Sequence, residues 1–366
     1  MLGDYMKIIV SAGGTGGHIY PALAIINKFM ENEKDLEVLY IGTHNRMEKD
    51  IVPKRGIKYE ALEIYGFSKR DILLDIKNVF LISKAKKRCL EIMKDFKPDL
   101  VLGIGGYVTY PVIWAANKLG IKTFIHEQNN HPGKSNIMLQ KKADLIGVSF
   151  KESIPYFNKC KGEVFYSGNP CGENALKVEP MDKTELGFSK DKKLVVVVAG
   201  SLGSATVNNK MDEFLNKVKD ESYEVLYITG KDLYDDFIKD KDYPSNVKVV
   251  PYVDNLPALL KNTDLIVTRA GASTMSEILS LNLPAIFIPS PYVANNHQYY
   301  NALVIKENGG GDIIEENSLT ADILMNKIND MFSDEDKYNK MKKVLKDMSM
   351  NNSSELIYNK LKDLMK

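Results

Sequence analysis

The sequence predicts an α/β protein built as two Rossmann-like, doubly wound domains in tandem, and three observations carry that expectation. The 366 residues are more than one ordinary hydrophobic core holds. Apolar, β-branched runs recur, and each is followed by a stretch with helical spacing, the signature of a parallel sheet with crossover helices. The alternation breaks once near the middle of the chain and then starts again.

In the first half the strand-like runs are KIIVSA (7–12), EVLYIG (37–42), DLVLGIGG (99–106), KTFIHE (122–127) and ADLIGVS (143–149). Residues 167–193 are rich in Gly, Pro and charge and lack apolar periodicity, which reads as an interdomain linker. The alternation resumes with LVVVVAG (194–200), YEVLYITG (223–230), NVKVVPYV (246–253), DLIVTRAG (264–271) and PAIFIPS (284–290). From Asp334 to Lys366 the chain is Lys-, Met- and Leu-rich with helical spacing, as terminal helices require. The expected division is therefore 1–166, a linker 167–193, 194–340, and a terminal helical segment 341–366.

Composition narrows the functional classes. Apolar residues make up 44% and charged residues 27%, normal for a soluble globular protein. Cys89, Cys160 and Cys171 are an odd number without a C-x-x-C pair, so neither a disulfide framework nor a zinc knuckle is expected, and a reducing compartment fits. No basic, apolar leader and no run of ~18 apolar residues occurs, so the expectation is a chain neither secreted nor membrane-spanning. Net charge is +1 but uneven: residues 1–165 hold 25 Lys and Arg against 18 Asp and Glu, and the remainder holds 24 against 30. The first half favours an anionic surface or substrate.

The chemistry-bearing motifs follow the strands. GGTGGHIYP (13–21) places four glycines between a strand and an amphipathic helix, where backbone N–H groups can face an anion. A tight strand-to-helix connection is the plainer reading of the glycines alone. Two nucleotide fingerprints fail: G-x-G-x-x-G from Gly14 meets Ile19, and a P-loop ending at Lys134-Ser135 meets Gln128. ATP hydrolysis and dinucleotide binding lose ground accordingly. His18, beside these glycines at a strand end, is a candidate acid or base near neutral pH. IGGYVTYP (104–111) repeats the arrangement, with Tyr107 and Thr109 at a helix start, Thr109 being either a cap or a ligand contact. HEQNNHPGKSN (126–136) gathers His126, Glu127, Gln128 and Asn129 at the end of the next strand; a solvated loop is the alternative.

The second half supplies AGSLGSATVNN (199–209), whose Ser201 and amides suit a diphosphate at a helix N-terminus. In TRAGASTMSE (268–277) a strand ends in Arg269 and Gly271, and Glu277 either complements a helix dipole or accepts two ribose hydroxyls. ANNHQ (294–298) sets amide side chains where a sugar would be read. The D-x-D pairs at Asp240-Asp242 and Asp334-Asp336 lie in solvated charge runs rather than at strand ends. No G-x-S-x-G elbow occurs. Residues 68–97 hold nine Lys and Arg against four acids, interleaved with Ile72, Leu73, Leu74, Val79, Phe80, Leu81 and Ile82. A crossover helix explains half of that pattern, and docking on anionic lipid explains the surplus of apolar residues. Trp114 belongs to that surface or to the core.

Taken together, GGTGGHIYPALA, GIGGYV, HEQN, PGKSN, SGNP, GSLGS, TRAGASTMSE and HQYYNA resemble, in order from residue 13 to residue 302, the MurG family of bacterial N-acetylglucosaminyl transferases of peptidoglycan synthesis. The resemblance implies a GT-B fold, two Rossmann-like domains facing a cleft with the last helix crossing back to the first. It implies metal-independent, inverting transfer of GlcNAc from UDP-GlcNAc to the C4 hydroxyl of the muramoyl sugar of lipid I, giving lipid II. It implies no cofactor, no nucleic-acid partner, and a peripheral location on the cytoplasmic face of an anionic membrane. The donor residues would be Ser201, Gly203, Val253, Arg269, Ala272, Ser273, Thr274, Met275, Ser276, Glu277 and Gln298, with Thr15, Gly16, Gly17 and Asn129 reaching the donor from the first domain. Gly13, Gly14, Tyr107 and Thr109 would hold the acceptor. His18 is the first candidate for the catalytic base, and Glu127 or His126 the second.

The chain also departs from the family pattern. Ala199 and Ser204 are mild changes in the G-G-S-x-G-A loop, Gly172 stands where an arginine is usual, and Thr109-Tyr110 replaces Ser-Gly. Arg269 is the candidate cation to compensate at Gly172, and Tyr110 would crowd or reshape the acceptor rim. The alternatives are a transferase acting on another lipid such as diacylglycerol, a non-catalytic nucleotide-sugar sensor, and a NAD-dependent oxidoreductase.

Overall fold

The computed structural model describes residues 5–66, 72–199 and 203–366. The chain divides into two compact units, Met1–Cys171 with Asn352–Lys366, and Gly172–Asn351.

The first unit is built on β1 (Met6–Ser11), β2 (Leu36–Thr43), β3 (Lys58–Leu62), β4 (Leu100–Gly103), β5 (Lys122–Glu127), β6 (Leu145–Val148) and β7 (Glu163–Tyr166). They form one parallel sheet in the order β3-β2-β1-β4-β5-β6-β7. Alternation along β1 sends Ile8 and Val10 into the core under helix Gly16–Asn32, and Ile9 into the core on the other face. Both faces are covered, which is why the central strands read as continuous apolar runs. Helix Ser353–Met365 completes the first of these cores. Its Ile357 and Leu361 are fully buried, Tyr358 meets Phe29 edge-on at 5.1 Å, and Glu33 accepts from Tyr358 and Lys362, each at 2.7 Å.

The second unit holds β8 (Leu194–Val198), β9 (Glu224–Ile228), β10 (Val247–Val250), β11 (Leu265–Thr268), β12 (Ala285–Phe287) and β13 (Gly311–Ile313), again all parallel, in the order β10-β9-β8-β11-β12-β13. β8 is buried along its whole length.

Three strands carry no clear sequence signal, and β3, β7 and β13 are all sheet edges. An edge strand is covered less completely, so β3 alternates exposed and half-buried residues instead of reading as an apolar run.

Two boundaries also differ from the sequence reading. Residues 172–193 fold onto the second unit rather than bridging freely: Lys261 Nζ donates to Leu176 O at 2.8 Å, Asn262 Nδ2 to Met181 O at 2.8 Å, and Met181 N to Ala258 O at 3.0 Å. Helix Glu335–Met348 buries Tyr338, Met341 and Leu345 and stays with the second unit, so only the chain from Asn352 onward joins the first.

Candidate active site

In the first sheet the winding direction switches between neighbours β1 and β4, which opens a crevice at their carboxyl ends. Two glycine turns meet there. Gly13 N donates to Gly105 O at 3.2 Å and Ile104 N to Ser11 O at 2.8 Å. A Cβ on Gly106 would lie 2.4 Å from the Gly13 carbonyl oxygen, and one on Gly105 would lie 2.5 Å from the His18 ring. Both residues have positive φ, +89° and +112°, so only glycine fits on either count.

His18 is half-buried in the first turn of helix Gly16–Asn32, with Nδ1 3.0 Å from Gly13 O. A carbonyl oxygen only accepts, so Nδ1 carries the proton and Nε2 keeps a lone pair. Burial lowers the His18 pKa, against a smaller upward pull from the Gly13 bond and from Glu48. The ring is thus a neutral base at neutral pH. Thr15 caps the same helix without a side-chain bond, which leaves the amides at Gly16 and Gly17 to a ligand or water.

The other sequence candidates in this unit have structural partners. Thr109 is fully buried and its hydroxyl donates to Gly106 O at 2.7 Å, bracing the second turn from beneath. The Tyr107 ring packs on Gly66, and its hydroxyl is buried without a hydrogen-bond partner among the described residues. His126 is fully buried, its Nε2 lies 3.1 Å from Ser167 Oγ and 3.0 Å from Gly168 O, and burial lowers its pKa to about 4. Glu127 is 2% exposed and accepts from Asn129 N at 3.0 Å, Gly133 N at 2.9 Å, Asn136 Nδ2 at 2.9 Å and Asn129 Nδ2 at 3.3 Å. Burial raises its pKa and those four donors oppose the rise. The polar row 126–129 is therefore a latch that folds its own loop back onto β5, and of the three candidate bases only His18 has a side chain that is not fully enclosed.

In the second sheet the winding switches between β8 and β11, and the second set of candidates collects there. Ser201 lies outside the described residues, as does the start of the basic stretch, 68–71. Gly203 has φ +72° and backs onto Thr229 O, which a Cβ would approach to 2.0 Å. Ser204 then caps helix Ala205–Lys217. Arg269 is engaged from several sides: Nη1 donates to Ile288 O at 2.9 Å, Nη2 donates to Ser204 Oγ at 2.9 Å, and Glu316 Oε2 lies 2.5 Å from Nη2. Glu316 is buried and Arg269 is largely covered, and removing one partner of a buried pair costs about 3–5 kcal/mol.

Helix Ala272–Leu281 begins at Gly271 with no side-chain cap, and a Cβ on Gly271 would meet open space. Ala272, Met275 and Ser276 are buried and Thr274 is half-buried. The Ser273 hydroxyl is buried with no partner among the described residues. Glu277 follows one turn later, its pKa raised to about 7 by burial. Gln298 Oε1 accepts from Ser290 N at 2.9 Å, and Val253 is half-buried in the loop after β10. Asp334 caps helix Glu335–Met348 through Lys337 N at 3.0 Å.

Comparison with known proteins decides the family. Residues 8–148 match the glycosyltransferase family 28 N-terminal domain and residues 194–357 the glycosyltransferase family 28 C-terminal domain. A protein of Bacillus licheniformis named "UDP-N-acetylglucosamine--N-acetylmuramyl-(pentapeptide) pyrophosphoryl-undecaprenol N-acetylglucosamine transferase" is 40% identical over 363 residues, covering 98% of this chain and 99% of that one. A protein of the same name from Halalkalibacterium halodurans is 40% identical over 365 residues, 99% of this chain and 100% of that one. The crystal structure of MurG from Acinetobacter baumannii superposes with a TM-score of 0.80 at 24% identity, over 98% of this chain and 99% of that chain. The chain belongs to the MurG family.

Within this MurG-family chain the departures have local causes. A Cβ on Gly172 would lie 2.4 Å from Ser280 Oγ and 2.6 Å from Ser276 O, so helix Gly172–Lys177 presses on helix Ala272–Leu281 too closely for any side chain. Tyr110 packs against the core beside helix Ile72–Phe96, with Lys86 Nζ 4.9 Å from its ring. Arg269 is occupied by Glu316, Ser204 and Ile288, so its effect on the glycine loop is exerted through Ser204. Sequence reasoning missed Glu48 and Glu316, both buried carboxylates. Each sits in a charged, solvated-looking stretch, HNRMEKD and EENS, that gives no signal of burial.

Glu277 supplies a pH test. Its folded pKa of about 7 lies above the usual carboxylate value of 4.5, so the stability it contributes is complete below pH ~4.5 and is lost as pH rises through 7. Urea titrations of the ligand-free protein between pH 5 and pH 8 should show a loss of stability that shrinks in Glu277→Gln. Equal slopes in the two proteins would mean that the carboxyl ionises normally.

Proposed function

We propose that this chain transfers N-acetylglucosamine from UDP-N-acetylglucosamine to the C4 hydroxyl of the N-acetylmuramoyl sugar of lipid I, forming lipid II with inversion. The near full-length relationship to transferases named for that reaction carries the reading. The acceptor oxygen attacks C1 of GlcNAc, the O4–C1 bond forms as the bond from C1 to the β-phosphate oxygen breaks, and UDP leaves with the electron pair. The proton of the acceptor hydroxyl passes to His18 Nε2.

Side-chain and backbone roles follow from this reaction. Gly13 N and Gly14 N already donate to Gly105 O and Glu48, so the acceptor's diphosphate meets the open amides at Gly16 and Gly17 of the same turn, with Tyr107 at its rim. On the donor side, Ser201, Gly203 and the helix starting at Ala205 take the leaving diphosphate. Amide dipoles at that helix start and at Ala272 offset the charge that develops as UDP departs. Ionised Glu277 accepts the ribose hydroxyls, Val253 meets uracil through its backbone, and Gln298 and Asn129 read the GlcNAc hydroxyls. Support for His18 over Glu127 and His126 comes from its free Nε2 lone pair and its incomplete burial.

A lipid-linked acceptor would hold the reaction at a bilayer surface, and the water-soluble nucleotide-sugar donor favours the cytoplasmic face. No helix among the described residues is long and apolar enough to cross one. Peripheral docking is supported by helix Ile72–Phe96, where Phe80 is 73% and Val79 55% exposed beside Lys84, Lys86, Lys87 and Arg88. Lys86 and Lys118 also lie 4.7 and 5.2 Å from the ring of half-buried Trp114.

The direct test mixes purified protein with UDP-GlcNAc and a lipid I analogue and follows UDP release. Release with lipid I and none with diacylglycerol is expected, and the reverse pattern overturns the acceptor assignment. His18→Ala should lower kcat by roughly 10²–10⁴-fold with little change in donor KM; an unchanged kcat removes His18 from the role. Each cation near an anionic surface contributes about 1 kcal/mol. Exchanging Lys84, Lys86, Lys87 and Arg88 for Gln should therefore weaken binding to phosphatidylglycerol vesicles by roughly tenfold or more, and unaltered binding would contradict the docking surface.

A further inference from the structure

Beneath the first glycine turn lies a fully buried carboxylate that the transfer reaction does not itself use. Glu48, at the start of the short helix Glu48–Ile51, accepts from Thr43 Oγ1 at 2.6 Å, Thr43 N at 3.0 Å and Gly14 N at 3.2 Å. Two glycines wall it in: a Cβ on Gly13 would come within 2.6 Å of its Oε1, and one on Gly42 within 2.8 Å of its Cγ. No Lys, Arg or His pairs with it in an ion pair among the described residues, so hydrogen bonds alone offset the cost of burying it.

The peptide unit that Glu48 holds is the one that holds His18. Gly14 N–H and Gly13 C=O belong to a single trans peptide, whose N–H and C=O point in opposite directions. With the N–H tied to Glu48 on one side, the carbonyl is aimed at His18 Nδ1 on the other. We propose that Glu48 is a positioning residue that acts through the Gly13–Gly14 peptide to hold His18 in the Nδ1–H tautomer, with the Nε2 lone pair presented to the acceptor hydroxyl. The arrangement is a carboxylate and an imidazole coupled through one intervening peptide, and hydrogen bonds in such a row polarise one another. Gly105 completes the seat, since any side chain there would push the ring off the carbonyl. The role of Glu48 in turnover rests on the assignment of His18 as the base; the tautomer itself does not.

Nitrogen-15 NMR of the imidazole in the unaltered, full-length protein reads the tautomer directly. Above the His18 pKa the spectrum should show a protonated Nδ1 and a bare Nε2, and a predominant Nε2–H form overturns the proposal without any variant. Glu48→Gln adds a donor NH₂ among three donors and removes the charge. It should give a mixture of tautomers, a kcat lower by about tenfold, a donor KM within about twofold, and an acid limb of the kcat/KM profile displaced to lower pH. A folded Glu48→Gln protein with a single Nδ1–H tautomer and an unmoved pH profile would show that Glu48 only fills space. If Glu48→Gln does not fold, Thr43→Val, which deletes one of the carboxylate's donors, is read by the same spectrum and should also mix the tautomers. Loss of the expected His18→Ala defect with the wild-type tautomer intact would refute the base assignment while leaving the Glu48 relay standing.

Discussion

Two backbones touch where β1 and β4 part company, and the first unit is arranged around that contact. Gly106 faces the Gly13 carbonyl so closely that no Cβ fits between them, and Gly105 does the same against the His18 ring. The strand order causes this approach, because winding in opposite directions from neighbouring strands brings two strand ends together with no helix between. The glycines answer a steric demand first. That demand then leaves bare amides and an oriented imidazole in one crevice.

The second unit meets the same constraint with different chemistry. Gly203 is pressed against Thr229 O, and the loop that follows is tied by Arg269, through Ser204, to the buried Glu316. A guanidinium that the sequence suggests as a donor contact is here a strut that ties Ser204, the cap of helix Ala205–Lys217, to Glu316. Gly172 belongs to the same logic, since the close seating of helix Gly172–Lys177 on the helix that carries Glu277 leaves no space for the arginine usual in the family.

How much could be read from residues alone follows burial. Strands covered on both faces, such as β1, β5 and β8, announce themselves as apolar runs, whereas three of the four edge strands, β3, β7 and β13, do not. The glycine turns were legible because glycine clusters have few other uses at a strand end. Tertiary hydrogen bonds were not legible: His126 and Glu127 look like exposed reagents in a polar row, yet both are enclosed, and Glu48 looks like a surface charge in HNRMEKD although it is completely buried. A sequence shows that a polar residue is present, but its partners lie tens of residues away, as Ser167 does from His126.

A single displacement needs one base and no covalent intermediate, and the role proposed for His18 beside the glycine turn meets that need. Inversion of the anomeric centre follows from the proposed single displacement. The most direct check is proton NMR of the disaccharide product made from the α-linked donor. A large H1–H2 coupling on the transferred GlcNAc, the mark of a β-linkage, is the predicted result; a small coupling from a retained α-linkage would contradict it.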